Sequence, residues 1–321
     1  MKKAKKVLIT GCAGFIMSRL ALHWNKKHPK DKLYGVDNLS YGSDLNNLTG
    51  ADIKLSILDI ATEGFLKYVA RHKFDLIIHG AATSSVDIGN QEVSRTFVNN
   101  AIGTFLLLEA VRIHSPSTRV VYVSTDEVRG QLGPSDPAFT SKSQYNPTSI
   151  YSSSKACGDM LAKAYAHTFD VDVVVTNCSN NFGPHQSSGK LVPNIIQAIL
   201  DNRVMEVYGS GTQVRDWIHV DDHCEGIRLA ALKGKKGTTY LFGGGQELTN
   251  LEMIALISKI TGKRVMYHKN ASGRPKDDQR YAINNEESFK QLGFVPKKTK
   301  TKKAFSWALA ETIDWYRKNR R

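Results

Sequence analysis

The sequence predicts an α/β protein, a doubly wound parallel sheet with a second, smaller α/β unit attached. Three observations carry that prediction. Short apolar, β-rich runs alternate with helical patterns along the first half of the chain, as strands lying parallel in one sheet require. The first of those runs ends in glycines that open a helix. A later one, Val120-Val121-Tyr122-Val123, ends abruptly in Ser124-Thr125-Asp126-Glu127. Such a run reads as a strand buried on both faces. Ligands of open α/β sheets bind beyond the carboxyl ends of the strands, so these four polar residues fall where chemistry is expected.

Taken in order, residues 6–10 (KVLIT) are a buried strand, and Gly11-Cys12-Ala13-Gly14-Phe15-Ile16-Met17 is a turn opening a helix to about Lys26. Glycines there let the backbone approach a pyrophosphate, whose charge a helix N-terminus stabilises. Met17 occupies the third position of the usual GxxGxxG spacing and implies slightly wider packing of helix on strand. The second strand, 33–36, ends at Asp37, followed by Asn38. A carboxylate at that distance accepts hydrogen bonds from an adenosine ribose and repels a 2′-phosphate, which favours NAD over NADP. The third strand, 53–58, ends in Asp59-Ile60, placed to flank an adenine, and the fourth, 75–79, runs into Gly80-Ala81-Ala82, where a backbone can approach a cofactor. Helices are expected over 62–71 and 92–114, the second containing Asn99. These features describe a Rossmann domain over 1–182.

A loop rich in Pro, Ser and Gly, 130–149, leads into Tyr151-Ser152-Ser153-Ser154-Lys155 and a helix to about Phe169. Tyr151 and Lys155 then share a face, and an ammonium near a phenol lowers the phenol pKa from about 10 towards that of a usable base. Asp126 and Glu127 both reach one cleft if they lie in the turn after the strand, where alternation of faces lapses. Without such partners, acids after a strand simply cap the next turn. A sixth strand is expected over 171–176.

From 183 the alternation weakens, so 183–321 is read as a second domain, from which segments such as 217–245 can return to the first. Arg215 beside glycines is either a phosphate fork or an ion-pair partner of Asp216. Asp221 and Asp222 suit the first turn of a helix as dipole partners. His219 and His223 are spaced like a metal pair but lack a third ligand, so no metal is expected. The last helix, 303–319, packs through a stripe of Phe305, Leu309, Ile313 and Tyr316.

Composition narrows the function classes. A chain of 321 residues exceeds a single typical core, and no apolar run approaches the ~20 residues of a membrane span. The opening lysines and apolar stretch are broken by Thr10 and Gly11, which fits a strand better than a signal peptide. Four cysteines without CxxC spacing point to reduced thiols in the cytoplasm and no zinc site. The net charge of +14 is spread over short lysine clusters with no aromatic stripe, as on solvated faces, so no specific nucleic-acid partner is expected.

The motifs TGCAGFI, AA at 81–82, STDEV, YSSSK, TNCSNNFGP, KLVPNII, GSGTQVRDWIHVDD and GRPKDDQRYAI run nearly end to end. In them the chain resembles the extended short-chain dehydrogenase/reductase family, and within it the nucleotide-sugar 4,6-dehydratases acting on dTDP- or UDP-glucose. STDE combined with YxxxK discriminates, since related 4-epimerases end the same strand without the acid pair. The resemblance implies NAD held by Gly11, Gly14, Phe15, Ile16, Asp37, Asn38, Asp59, Ile60, Ala81, Ala82, Asn99, Tyr151 and Lys155. It implies a nucleotide-sugar held by Asn180, Lys190, Leu191, Arg215, Asn250 and Arg274, with Arg215 on the diphosphate. It also implies a homodimer formed through the helices at 92–114 and 151–169, and a hydro-lyase of rhamnose-type deoxysugar biosynthesis.

By the same resemblance Tyr151 takes the proton of the sugar C4 hydroxyl while hydride passes from C4 to NAD, Lys155 tunes Tyr151, and Thr125 hydrogen-bonds the C4 oxygen. Glu127 removes the C5 proton, Asp126 protonates the departing C6 hydroxyl, and hydride returns to C6. That division requires one acid with a raised pKa. The chain departs from the family pattern at Met17, at TSSVDIG over 83–89, at Arg129 where a tyrosine is common, and at Asp277 where a histidine accompanies thymidine nucleotides. An SxLxNL stretch at 43–48, as in plant-type uridine-sugar dehydratases, leaves both nucleotides open. The rival readings are an epimerase or decarboxylase of the same fold, against which Asp126 and Glu127 count, and a non-catalytic nucleic-acid-binding relative, against which Thr125, Tyr151 and Lys155 count.

Overall fold

The computed structural model describes residues 4–270 and 277–319. Its strands are β1 (Lys6–Thr10), β2 (Lys32–Asp37), β3 (Ile53–Ile57), β4 (Leu76–His79), β5 (Arg119–Thr125), β6 (Val173–Cys178), β7 (Asn180–Phe182), β8 (Met205–Tyr208), β9 (Val214–His219), β10 (Thr239–Phe242), β11 (Glu247–Thr249) and β12 (Tyr267–Asn270). Seven of them form one parallel sheet in the order β10-β6-β5-β4-β1-β2-β3. The chain steps outward from β1 to β3, then crosses to β4 on the other side of β1. The crevice between β1 and β4 is therefore the switch point at which such sheets bind ligands.

The helices are α1 (Phe15–Lys27), α2 (Glu63–His72), α3 (Val86–Gln91), α4 (Val93–Phe97), α5 (Gly103–His114), α6 (Ile150–Thr168), α7 (Leu191–Asp201), α8 (Val220–Lys233), α9 (Asn250–Thr261), α10 (Glu286–Leu292) and α11 (Lys302–Lys318). On one face of the large sheet α2, α5 and α6 bury Phe65, Val69, Leu107, Val111 and Ala162 against Leu8, Ile77 and Val120. On the other, α1 and α8 bury Leu20, Trp24 and Ile227 against Ile9, Ile78 and Val121. Each such large side chain contributes about 1.5–3 kcal/mol by leaving water. Both faces being covered is why these strands read as continuous apolar runs.

The helix expected over 92–114 is not uniform: Val98–Ile102 is a π segment between α4 and α5. Its physical cause lies in Asn100. That side chain accepts from Thr83 N at 2.7 Å and donates to Ser154 Oγ at 2.9 Å, while Thr104 Oγ1 donates to the Asn100 carbonyl at 2.6 Å. These bonds compete with the regular helical ladder.

The remaining strands make two small sheets, β11-β9-β7 and β12-β8. A separate core of Phe182, Ile195, Trp217, Met253, Phe305 and Leu309 joins α7, α9 and α11 to them. β7 lies in a small sheet although it precedes residue 183, whereas α8 and β10 rejoin the large one. The two units thus interleave along the chain.

Candidate active site and cofactor cleft

One cleft opens over the switch point. It is lined by Gly11, Gly14, Phe15, Ile16, Asp37, Asn38, Ile60, Ala81, Ala82 and Asn99, by Thr125, Asp126, Glu127, Tyr151 and Lys155, and by Asn180 and Lys190. Its β1 end is built for close backbone approach. Gly11 has φ +70°, and a Cβ there would lie 2.8 Å from Ala81 Cα, so only glycine fits. Gly14 precedes α1 with no side-chain cap and no acid in the first turn, leaving that helix N-terminus available to an anion.

Asp37 is buried, and its Oδ2 accepts from Ala13 N at 2.9 Å while Oδ1 accepts from Leu39 N and Ser43 Oγ at 2.8 and 2.9 Å. A carboxylate has roughly four acceptor positions, so capacity remains for a ribose hydroxyl. Asp59 does not line the cleft. It accepts from Asn38 Nδ2 at 3.0 Å and from Ala61 N at 2.8 Å, and so braces Asn38 from behind. Glycine turn, free helix end and acid at the end of β2 together fit a dinucleotide.

Met17, at the position of the missing glycine, packs at the end of β4. Its thioether occupies the space that Gly80 leaves: a Cβ on Gly80 would lie 2.4 Å from Met17 Sδ. The small residue has moved from the helix to the strand end.

At the other end of the cleft β5 runs into a 3-10 turn, Asp126–Arg129, capped by Thr125, whose Oγ1 accepts from Glu127 N at 3.3 Å. The turn puts both acids on the cleft. Burial first, then the neighbouring Glu127 and Asp216, push the Asp126 carboxyl well above the usual range, with Arg215 pulling the other way. Burial thus favours the protonated form of the Asp126 carboxyl.

Tyr151 and Lys155 lie on the first turns of α6, whose start is fixed by a Ser149–Ser152 capping box. Their electrostatics differ from expectation. The Lys155 ammonium donates to the Val123 carbonyl at 2.7 Å and sits 4.2 Å over the Tyr122 ring. Burial lowers its pKa to about 8, against a smaller opposing pull from Asp159. The Tyr151 phenol is pushed up, by burial first and then by Glu127, rather than lowered by the lysine. Desolvating a phenolate outweighs a cation whose hydrogen bond is directed elsewhere.

Of the residues assigned to the nucleotide-sugar, Asn180 and Lys190 reach this cleft, with Lys190 Nζ donating to Ser84 O at 3.0 Å. Leu191 opens α7 and Asn250 opens α9, its N donating to Gln213 O at 3.1 Å; neither lines the cleft. Arg274 lies outside the described residues. Arg215 is buried and pairs with Asp277 Oδ1 at 3.2 Å, not with its neighbour Asp216, and its guanidinium lies 4.7 Å over the Tyr281 ring. Asp216 instead faces inward, accepting from Gln246 N at 3.0 Å, because adjacent residues of a strand point to opposite sides.

His219 caps α8 and His223 bonds Asn181 Oδ1 at 3.0 Å, so the two histidines serve separate structural contacts. Among the described residues no group of three His, Cys, Asp or Glu could hold a metal, and no helix is long and apolar enough to cross a membrane.

Ser124, one of the four polar residues that close β5, is buried at the cleft. One residue escaped the sequence reading. Asp159, one turn beyond Lys155, accepts from Tyr145 Oη at 3.1 Å and Asn177 Nδ2 at 3.0 Å, and the YxxxKxxxD spacing was the available signal.

A switch-point cleft with a glycine turn on one side and a Tyr–Lys pair with two acids on the other defines a dinucleotide-using enzyme. The chain belongs to the NAD dependent epimerase/dehydratase family, which residues 7–243 match. It is 37% identical to the dTDP-glucose 4,6-dehydratase of an Actinoplanes species, over 98% of both chains. It is 36% identical to that of Mycobacterium tuberculosis, over 98% of this chain and 94% of the relative. Among solved structures it is similar to dTDP-glucose 4,6-dehydratase from Bacillus anthracis in complex with NAD, with TM-score 0.88, 36% identity and coverage of 99% and 98%. The UDP-glucose 4-epimerase of Thermotoga maritima has the same TM-score at 25% identity, over 98% of this chain and 100% of its own. The backbone is thus common to both reactions, and the side chains must distinguish them.

Proposed function

We propose that this chain is an NAD-dependent nucleotide-sugar 4,6-dehydratase, a hydro-lyase converting dTDP- or UDP-glucose to the 4-keto-6-deoxy sugar nucleotide and water. The observation that carries the reading is the acid pair: Asp126 and Glu127 line the same cleft as Thr125, Tyr151 and Lys155, and burial pushes the Asp126 carboxyl up. An epimerase has no use for a second acid. NAD, when bound, supplies the acceptor for the C4 hydride and its return to C6. Tyr151 takes the C4 hydroxyl proton once its own, which burial favours keeping on the phenol, has been released, and Thr125 hydrogen-bonds that oxygen. The C4 ketone then acidifies the C5 proton, which Glu127 removes. Asp126 gives its proton to the C6 hydroxyl, which leaves as water, and Glu127 returns a proton to C5 as the hydride is restored at C6.

The cofactor contacts in this reading are Gly11, Gly14, Phe15, Ile16, Asp37, Asn38, Ile60, Ala81, Ala82, Asn99, Tyr151 and Lys155, with Asp59 acting through Asn38. Asn180 and Lys190 take the sugar nucleotide within the cleft, Arg215 takes its diphosphate, and Leu191, Asn250 and Arg274 complete the second domain's grip. Two copies join through α4–α5 and α6, which leave Val93, Phe97, Val98, Phe105, Met160 and Phe169 exposed. Four free cysteines fit a reducing cytoplasm, and the product is of the kind from which rhamnose-type deoxysugars are made.

Incubation with dTDP-glucose and UDP-glucose separately, followed by mass analysis, tests the reading. Loss of water with solvent deuterium appearing at C5 in heavy water is expected from at least one. An isomer of unchanged mass would make the chain an epimerase.

A further inference from the structure

Arg215 and Tyr151 lie on different units, and a short chain of groups joins them, buried at Tyr281 and Asp278 and reaching the surface at Thr148. The Arg215 guanidinium rests on the face of Tyr281, 4.7 Å from the ring centre. The backbone at 279–281 is laid along β9 beside it: Val214 N donates to Gln279 O at 2.8 Å and Tyr281 N to Val214 O at 3.2 Å. Tyr281 Oη donates to Asp278 Oδ2, and Thr148 Oγ1 donates to that same oxygen at 2.6 Å. Thr148 immediately precedes Ser149, the N-cap of α6, and Tyr151 is the second residue of that helix. The loop before α6 is docked on the same segment, with Leu132 N donating to Arg280 O at 2.9 Å and Phe139 N to Ala282 O at 2.8 Å.

Asp278 and Tyr281 are buried and, like Arg215, lie outside the lining of the cleft. Their placement has another use. We infer that Asp278 and Tyr281 are positioning residues: the phenol–carboxylate–threonine tie fixes the distance between the guanidinium that seats the anion and the helix that presents the catalytic phenol. This rests on the reading that Arg215 takes the diphosphate. A sugar anchored at one end reaches Tyr151 correctly only if the two ends keep a fixed separation, and a misplacement of about 1 Å can cost on the order of a hundred-fold in rate.

The test uses the full chain with its NAD and three changes: Tyr281→Phe, which keeps the ring under Arg215, Thr148→Val, and Thr148→Ser. Binding of UDP and dTDP is measured by calorimetry, and kcat and KM on the sugar nucleotide that turns over. Tyr281→Phe and Thr148→Val should each lower kcat by about ten- to a hundred-fold, with nucleoside diphosphate affinity within about two-fold of the unaltered protein. The double variant should be no slower than the slower single one, because either change cuts the same tie. Thr148→Ser, which restores the hydroxyl, should recover the rate. Unchanged kcat in both variants, multiplying losses in the double variant, or affinity falling in step with kcat would each overturn the inference. If Arg215→Ala left nucleoside diphosphate binding intact, the diphosphate reading would fail and the tie with it. If Arg215→Ala weakened binding while Tyr281→Phe and Thr148→Val turned over normally, only the tie would fail.

Discussion

The strands β5 and β9 hold their key side chains in different ways, β5 on the cleft and β9, through Arg215, outside its lining. β5 ends on a 3-10 turn whose own hydrogen bonds set Asp126 and Glu127 on the cleft, and the next helix starts in a capping box that sets Tyr151 and Lys155. The start of each element there is set by residues within a few positions of it, although the Lys155 ammonium also reaches across to the Val123 carbonyl. On β9, Arg215 is held by Asp277 and Tyr281, more than sixty residues away in the chain. Local structure can thus place the groups that do chemistry, while groups that grip a ligand depend on the packing of one unit against another. Substitutions at the β5 end should accordingly cost kcat, and loss of the Arg215 guanidinium on β9 should cost KM.

The largest effects are expected at β5. Loss of a general acid or base typically costs about 10²- to 10⁴-fold, so Tyr151→Phe and Glu127→Gln should each lower kcat by that much with little change in KM. The two differ in where they stop. Tyr151→Phe should block oxidation at C4, whereas Glu127→Gln should allow it and stall before elimination, so that reduced nicotinamide absorbance builds up on adding sugar nucleotide. Normal turnover by Glu127→Gln would remove the chemical basis of the comparison.

At β9 the expected loss is smaller and of another kind. A hydrogen bond to a charged group contributes about 1.5–3 kcal/mol, so Arg215→Ala should lower kcat/KM by about ten- to a hundred-fold, mainly through KM. Steady-state kinetics on the variant measure this directly. A loss confined to kcat would mean that Arg215 acts chiefly on the nearby Asp126, to which its charge is coupled.

The same contrast explains what was legible in the sequence. Val120 to Glu127, the glycine turn and the Tyr151–Lys155 spacing each carry their geometry in local pattern, and the structure brings all of them to one cleft. The partner of Arg215 was not legible, because strand alternation turns Asp216 away and the acid that arrives, Asp277, comes from a distant loop. The π segment was missed for a related reason: its cause is the bonding of Asn100 to Thr83 and Ser154, which no helical periodicity records. The direction of the Tyr151 shift failed because spacing places two groups on one face without saying where the ammonium points. Met17 opposite Gly80 shows a local rule broken and answered elsewhere in the fold.

The cofactor end offers an intermediate case, since Asp37 lies on a regular strand yet acts by binding. Asp37→Ala removes the proposed acceptor for a ribose hydroxyl and should weaken NAD retention by about ten-fold, with a fall in the thermal midpoint of the NAD-free protein as well, because Ala13 N, Leu39 N and Ser43 Oγ lose their acceptor. Release of NAD during gel filtration, followed spectroscopically, measures the loss. NADP as the species bound to the unaltered protein would contradict the role given to this carboxylate.

The smallest effect is a pH dependence, and it separates the two ends most finely. Burial lowers the Lys155 pKa to about 8, so below that pH the ammonium persists and above it the proton is lost. If the charge of Lys155 supports transfer of the Tyr151 proton, kcat should fall as pH rises through about 8, by roughly two-fold at that pH and about ten-fold one unit above it. Nucleoside diphosphate binding at Arg215 should stay flat over the same interval, because a guanidinium does not titrate there. Lys155→Arg supplies the discriminating variant. Its side chain keeps its charge at every working pH, so whatever rate remains should no longer fall near pH 8. Persistence of that limb in the variant would assign it to another group. A matching fall in diphosphate affinity would show that the two ends titrate together and are less independent than their construction implies.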